Sequence, residues 1–147
     1  MRPGGGAALA AIAALALGRL AYADTADDLR AVAEQSTVQL TTIGRTSGEL
    51  RPVTIWFVGE GDRVFVQSGK EGQTDWYRNA LVNPAVTLRI GVLTLRGQAR
   101  PVDDSQETAR VHRLFEQKYL GARVLGWFGS AVGHGKVIVI DQLQRGP

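Results

Sequence analysis

The chain has 147 residues and a formal net charge of +3, with no cysteine and only two histidines. This length fits a single domain, and the composition excludes disulfide bonds, thiolate metal sites and a histidine-rich metal centre. The arginines do not form a basic run with interleaved aromatic residues, so the sequence gives no support for nucleic-acid binding.

Residues 1–23 have the pattern of an export signal. A basic residue precedes an apolar run from Ala7 to Leu17, and Ala21-Tyr22-Ala23 supplies the small-x-small pattern of a signal-peptidase site. We predict a cleavable signal peptide, or else a helix lying on the domain or on a membrane surface, followed by one domain over residues 24–147. A cleaved signal predicts a periplasmic or secreted protein, and an uncleaved segment predicts a membrane-associated or cytoplasmic one.

The hydrophobic periodicity and the turn residues that follow predict a chain of strands with a few helices. Thr25 is expected to cap a helix that continues to about Ser36, and Asp103 with Gln106 predicts a capping box before a later helix. A short helix is expected from Asp75 to about Val82. The predicted strands are Thr37–Ile43, Arg51–Val58, Arg63–Ser68, Ala85–Ile90, Val92–Arg100 and Lys136–Ile140.

The lengths of the connections decide how these strands are arranged. The middle strands are joined by hairpin-length turns, which are too short for the crossovers of a parallel sheet. We therefore expect a mainly β fold with flanking helices (α+β), built as a small antiparallel barrel of six strands. The strand Arg51–Val58 is apolar on both faces, which predicts a central strand or one whose second face meets a ligand or another subunit.

Side chains suited to an anionic ligand concentrate between Thr41 and Pro84. Arg45, Arg51, Ser68 and Lys70 all fall in this stretch, and guanidinium groups bind phosphate or carboxylate in bidentate fashion. No serine lies in a nucleophile-elbow context, and the glycine-rich fingerprints of dinucleotide and triphosphate sites are absent. The stretch predicts a site for a cofactor with an anionic tail.

Three motifs in this stretch resemble a known family. TTIGRTSGELR at 41–51 resembles the T-x-G-R-x-S-G-x-x-R opening of the deazaflavin-dependent nitroreductases, a family related to the pyridoxamine-phosphate oxidases. GDRVFVQS at 61–68 resembles the next hairpin of that family, and WYRNA at 76–80 with Asn83-Pro84 resembles its W-Y-x-N-L-x-x-N-P segment. The resemblance covers roughly Thr37 to Arg100.

The resemblance implies a split β-barrel, often a homodimer, that binds coenzyme F-420 or flavin mononucleotide (FMN). Members pass a hydride from the reduced cofactor to small acceptors such as nitro compounds, quinones or enones. The protein mainly positions the cofactor against the acceptor, so no catalytic side chain and no metal are expected. The alternative is a non-catalytic split-barrel module that binds a flavin or another small ligand.

The same resemblance assigns roles to individual side chains, each matched to a motif position. Arg45, Ser47 and Arg51 would hold the phosphate or carboxylates of the tail, while the residues that would line the ring are Val53, Thr54 and Trp56. The remaining matched positions are Ser68, Gly69 and Lys70 in the turn that receives phosphate, and Trp76 and Asn79 in the helix motif. Trp76 is expected to pack at the barrel mouth, Asn79 to bond the neighbouring loop, and Tyr119 to pack in the core.

Overall fold

The computed structural model describes residues 24–119 and 135–147, with Lys70 described by its backbone alone. The predicted signal segment and almost all of the unassigned stretch Gly121–Gly135 lie outside these residues. The described elements, in chain order, are α1 (24–32), β1 (Val38–Ile43), β2 (Leu50–Ile55), β3 (Val58–Glu60), β4 (Arg63–Ser68), a 3-10 turn (Lys70–Gly72), α2 (Asp75–Val82), β5 (Ala85–Ile90), β6 (Leu93–Pro101), α3 (Ser105–Lys118) and β7 (Lys136–Arg145).

The strands form one antiparallel sheet in the order β2-β1-β5-β6-β7-β4-β3, curled into a half-barrel. The predicted mainly β fold with flanking helices is confirmed, but the predicted count of six strands is wrong, because seven are present in the described residues. The predicted strand Arg51–Val58 is two strands, β2 and β3, which pair with β1 and β4 respectively. Neither is central, since the two form the opposite edges of the sheet.

The break between β2 and β3 falls at Trp56 and Phe57 and has a tertiary cause. The backbone N–H of Phe57 donates to the Tyr119 hydroxyl at 3.1 Å, and the Phe57 carbonyl accepts from Lys118 Nζ at 2.9 Å. Side chains at the end of α3 therefore bond the N–H and the carbonyl of Phe57, the two groups that would pair with a neighbouring strand if the strand were continuous. The chain turns here from one edge of the sheet to the other.

Two apolar clusters fill the fold, one on each face of the sheet at β4 and β7. The larger cluster lies inside the curl and draws on β1, β4, β5, β6 and β7, with Trp76 and Ala80 of α2. The smaller lies beneath α3 and includes Phe65, Phe115 and Tyr119, which confirms the predicted core role of Tyr119. Burying a side chain of this size contributes about 1.5–3 kcal/mol, so these clusters fix the positions of α2 and α3.

The helix starts differ from the predicted caps. Residue 24 is already helical, and the Thr25 hydroxyl donates to the Leu143 carbonyl at 3.3 Å rather than capping α1. The N-cap of α3 is Asp104, whose carboxylate accepts from the Glu107 N–H at 2.7 Å, one residue later than the predicted Asp103. No helix in the described residues is long and apolar enough to cross a membrane.

A β-bulge bends the sheet where β6 meets β7. The register shifts between Arg96 and Gln98, and Gln142 opposite adopts a φ of 52°. Gly97 sits at the bulge, where an added Cβ would lie 2.6 Å from Leu143 Cδ2 and 2.9 Å from the Asp141 carbonyl oxygen. Since real Cβ atoms do not approach this closely, the bend requires glycine at this position.

Candidate cofactor site

An open cleft of about 580 Å³ lies between the β1–β2 loop and helix α2. It collects residues from two of the three motifs, the one at 41–51 and the one at 76–80, which are separated in sequence. The lining residues are Gly44, Arg45, Thr46, Ser47, Arg51, Pro52, Val53, Asp75, Trp76 and Asn79.

The β1–β2 loop that forms one wall of the cleft is held by its own backbone. The Gly44 N–H donates to the Glu49 carbonyl at 2.8 Å, and the Gly48 N–H donates to the Gly44 carbonyl at 2.8 Å. The Ser47 hydroxyl accepts from the Glu49 N–H at 3.2 Å, and Gly48 takes the positive φ of 71° that closes the turn. The loop therefore keeps a defined shape and presents Arg45 and Ser47 toward α2.

Asn79 ties this loop to α2, as the sequence predicts. Its side-chain oxygen accepts from the Arg45 N–H at 3.2 Å and from Arg45 Nη1 at 2.8 Å. Its amide group donates to the Thr42 hydroxyl at 3.3 Å, and both Asn79 and Thr42 are buried. Buried polar groups of this kind are costly unless they are paired, so the network fixes where the Arg45 backbone and side chain lie.

Arg45 and Arg51 bring two positive charges to the cleft, and each has a carboxylate partner. Arg45 Nη2 lies 3.0 Å from Asp75 Oδ1, and Arg51 Nη2 lies 2.9 Å from Glu49 Oε2. The Asp75 and Glu49 side chains are 82% and 69% exposed. Exposed pairs of this kind contribute little energy, so an incoming anion can compete for both guanidinium groups.

An apolar wall adjoins the charged end of the cleft. Val53 follows Arg51 by two residues on β2 and therefore shares its face, about 7 Å further along the strand. Val53 packs against the larger cluster together with Trp76, which is buried and contacts Tyr77 edge-on at 6.0 Å between ring centroids. The predicted packing of Trp76 at this mouth is confirmed.

Of the predicted site residues that the structure describes in full, four are not among those that line the cleft. Thr54 alternates with Val53 along β2 and is exposed on the opposite face, and it is not among the residues that line the cleft. Trp56 instead stacks on Tyr119, with ring centroids 4.1 Å apart and an interplanar angle of 3°. Trp56, which was expected beside the cofactor ring, thus packs against the smaller cluster beneath α3.

The end of β4 and the turn after it hold the other two, Ser68 and Gly69. Ser68 is fully buried, and its hydroxyl donates to the Gly69 carbonyl at 2.9 Å and shares a short hydrogen bond with the Thr74 hydroxyl. Ser68 therefore joins β4 to the start of α2 and lies behind the cleft rather than in its lining. Gly69 has open space where a Cβ would lie, and the Lys70 side chain is outside the described part of the chain.

Sequence reasoning missed Asp75 as a residue of the site. Asp75 and Asn79 are four apart on α2, and this spacing places them on one face of the helix. Asp75 also precedes the W-Y-x-N segment directly, so the spacing within the motif could have revealed it. Thr46 and Pro52 also line the cleft.

The fold and the cleft together define a class of protein: a split β-barrel whose open cleft suits a planar ligand with an anionic tail. The described residues contain no cluster of side chains able to hold a metal ion. Over residues 22–124 the chain matches the model of the F420H(2)-dependent quinone reductase family. The chain belongs to this family, which makes it by class an F-420-dependent oxidoreductase and confirms the predicted cofactor.

Solved structures share the fold at low sequence identity. An F-420-H2-dependent reductase, FDR-A, is 23% identical with a TM-score of 0.57, over 72% of this chain and 94% of that one. A candidate pyridoxamine 5′-phosphate oxidase from Listeria innocua is 21% identical with a TM-score of 0.58, over 81% and 95% of the chains. A domain-swapped dimer is 23% identical with a TM-score of 0.58, over 72% and 80%. These likenesses show that the chain shares the fold of these proteins.

Proposed function

We propose that the protein binds F-420 in the cleft between the β1–β2 loop and α2 and transfers a hydride to a small electron-poor acceptor, a quinone in the first instance. Nitro compounds and enones are acceptors of the same chemical kind. The observation that carries the proposal is that one cleft gathers six of the residues matched by motif, namely Arg45, Ser47, Arg51, Val53, Trp76 and Asn79.

The donor set of the cleft fits a deazaflavin. The guanidinium groups of Arg45 and Arg51 and the Ser47 hydroxyl offer hydrogen-bond donors to phosphate and carboxylate oxygens. Val53 and Trp76 offer an apolar wall to the ring, next to the charged end. The tail and the ring are thus assigned to adjacent parts of one cleft.

When bound, reduced F-420 supplies a hydride, and a quinone that accepts it takes a further proton from water to become the hydroquinone. The side chains of the cleft act by binding and orienting rather than as nucleophiles. Asn79 fixes Arg45, and Arg45 with Arg51 fixes the anionic tail, which sets how far the ring reaches toward the acceptor. FMN shares the planar ring and the phosphate and is the alternative cofactor.

Titration of the full-length protein with oxidised F-420 and with FMN, followed by cofactor fluorescence, tests the proposal. We expect F-420 to bind more tightly than FMN, and reduced F-420 to be reoxidised when a soluble quinone is added. Arg51→Ala should weaken F-420 binding by about tenfold or more, since hydrogen bonds to charged groups are worth roughly 1.5–3 kcal/mol and about 1.4 kcal/mol is a factor of ten. Arg51 is exposed and pairs with Glu49 across the turn, so its loss should leave the fold intact.

Arg89→Ala is the matched control, because Arg89 is an exposed arginine on β5 that does not line the cleft. It removes the same charge and should leave F-420 affinity unchanged. Binding of neither cofactor to the wild-type protein would refute the proposal. Equal weakening by Arg51→Ala and Arg89→Ala would show that the tail is not held in this cleft.

Assembly and location are part of the proposal. The likeness to a domain-swapped dimer supports a homodimer, which light scattering of the purified protein tests directly. Residues 1–23 remain a predicted signal peptide or surface helix, and the amino-terminal sequence of the protein recovered from cells distinguishes a periplasmic or secreted product from a membrane-associated or cytoplasmic one.

A further inference from the structure

The Arg45 side chain is held in place by more than its charge partner. Nη1 donates to Asn79 Oδ1 at 2.8 Å and lies 3.5 Å from the Asp75 carbonyl oxygen. The Arg45 side chain is only 25% exposed. These contacts do not involve the Asp75 carboxylate, so the guanidinium keeps its position when that carboxylate loses its charge.

The Asp75 carboxylate bonds a second nitrogen of the same guanidinium, Nη2. Asp75 Oδ1 accepts from Nη2 at 3.0 Å, and the side chain is 82% exposed at the cleft. In the same way, Glu49 Oε2 lies 2.9 Å from Arg51 Nη2. The formal charges of the two pairs cancel. Both guanidinium groups therefore already have a carboxylate partner when an anionic ligand enters the cleft.

We propose that Asp75 limits the anion affinity of the cleft by competing with the cofactor tail for Arg45. Binding then proceeds by exchange, in which an anionic oxygen of the tail takes the place of the Asp75 carboxylate at Nη2. The exchange is easy to reverse, because an exposed ion pair is worth little in water. This inference rests on the proposed function and adds to it a competing contact that keeps the cofactor exchangeable.

The Asp75→Asn variant tests the inference by the sign of its effect. The amide keeps the shape of the side chain and removes the charge, so oxidised F-420 should bind about two- to fivefold more tightly at low ionic strength, as expected from the worth of an exposed pair. The gain should shrink toward zero in about 1 M salt, where the Debye length is about 3 Å. A purely structural role for Asp75, for example at the first turn of α2, would leave binding unchanged or weaken it.

Asp27→Asn is the matched control. Asp27 forms an exposed pair with Arg30 at 2.8 Å on α1, so this variant removes the same charge from the same kind of pair outside the cleft. Its F-420 affinity should equal that of the wild type. Unchanged or weaker binding by Asp75→Asn, or an equal gain in both variants, would overturn the inference. Failure of the wild-type protein to bind F-420 would instead refute the proposed function, so the two failures are distinguishable.

Discussion

At the scale of single residues, Asn79 controls the geometry of the cleft. It is 4% exposed and joins α2 to two parts of the chain, the Thr42 hydroxyl of β1 and the Arg45 backbone and side chain of the loop. The Asn79 side chain therefore provides a hydrogen-bond partner for three polar groups. Its position was predictable from the W-Y-x-N motif, but the identity of its partners was not, because they lie more than thirty residues away in sequence.

Replacing Asn79 with alanine should cost more stability than any exposed substitution on the same helix. Asn79→Ala leaves the Thr42 hydroxyl and the Arg45 N–H without their partner, which predicts a loss of about 1–3 kcal/mol in the free energy of unfolding. Urea denaturation measures this loss. The exposed neighbour Arg78, replaced by alanine, should change the free energy by less than about 0.5 kcal/mol. Equal midpoints for the two variants would contradict the role given to Asn79.

At the scale of elements, the sequence predicted most strands at nearly their observed places but joined two of them. The alternation of apolar residues continues through Arg51–Val58, and nothing local marks the break at Trp56 and Phe57. The break depends on Tyr119 and Lys118, which bond the Phe57 backbone from the end of α3. Strand prediction depends on local periodicity, so it cannot detect a partner about sixty residues away in the sequence.

The same limit explains which of the predicted site residues lie together in one cleft. Residues carried by the loop and helix motifs, such as Arg45 and Asn79, do meet in one cleft. Thr54 and Trp56 were assigned to the ring by motif position, whereas strand alternation directs Thr54 to the other face and Tyr119 captures Trp56 by stacking. Motif matching predicted residues that line one cleft, and tertiary contacts place Trp56 elsewhere.

The bulge between β6 and β7 predicts that alanine at Gly97 lowers the stability of the protein much more than alanine at Gly59 does. Gly97→Ala would place a methyl group 2.6 Å from Leu143 Cδ2 and 2.9 Å from a backbone oxygen. Overpacking of this kind costs about 1–3 kcal/mol, which thermal or urea unfolding would detect. Gly59, on the edge strand β3, has no atom within 4 Å of the position that a Cβ would take, so Gly59→Ala should not destabilise the fold.

The outcome for the pair tests the bulge rather than glycine in general. Both variants remove the conformational freedom of one glycine from the unfolded chain, so that contribution cancels in the comparison. If Gly97→Ala were as stable as Gly59→Ala, the sheet would not need the close approach of β6 and β7 at this point.

At the scale of the whole molecule, the half-buried Lys118 makes stability depend on pH. Burial lowers the pKa of Lys118 from 10.5 to about 8, while the Glu34 carboxylate acts in the opposite direction. Burial likewise raises the pKa of Tyr119 from 10.0 to about 12. Both groups belong to the contact between the end of α3 and Phe57.

The free energy of unfolding should rise between pH 8 and pH 10. In this window the unfolded chain still holds the Lys118 proton that the folded chain releases, so folding is favoured as the pH increases. The rise of the free energy of unfolding per pH unit should be smaller than the change in the Lys118 pKa alone implies, because the amine is partly solvated and bonds the Phe57 carbonyl. Above pH 10 the slope should reverse, since the raised pKa of Tyr119 favours its protonated form in the folded state.

Urea unfolding at pH 8, 9 and 10 measures the slope, and Lys118→Met supplies the comparison. Methionine keeps an apolar stem in place of the lysine and does not titrate, so this variant should lose most of the rise. A wild-type curve as flat as that of Lys118→Met would show that Lys118 is not desolvated in the folded protein.

The position of β7 in the sheet has a consequence for the order of folding. The β3–β4 hairpin pairs with no strand of the sheet other than β7, and β7 is also the partner of β6. Until residues 136–145 have left the ribosome, the hairpin has no strand to join, and the earlier strands β1, β2, β5 and β6 can only form a separate sheet. Because this closure joins residues far apart in sequence, it is expected to be slow. The backbone N–H and C=O groups along the edges of β4 and β6 that pair with β7 stay unpaired until the last strand is made.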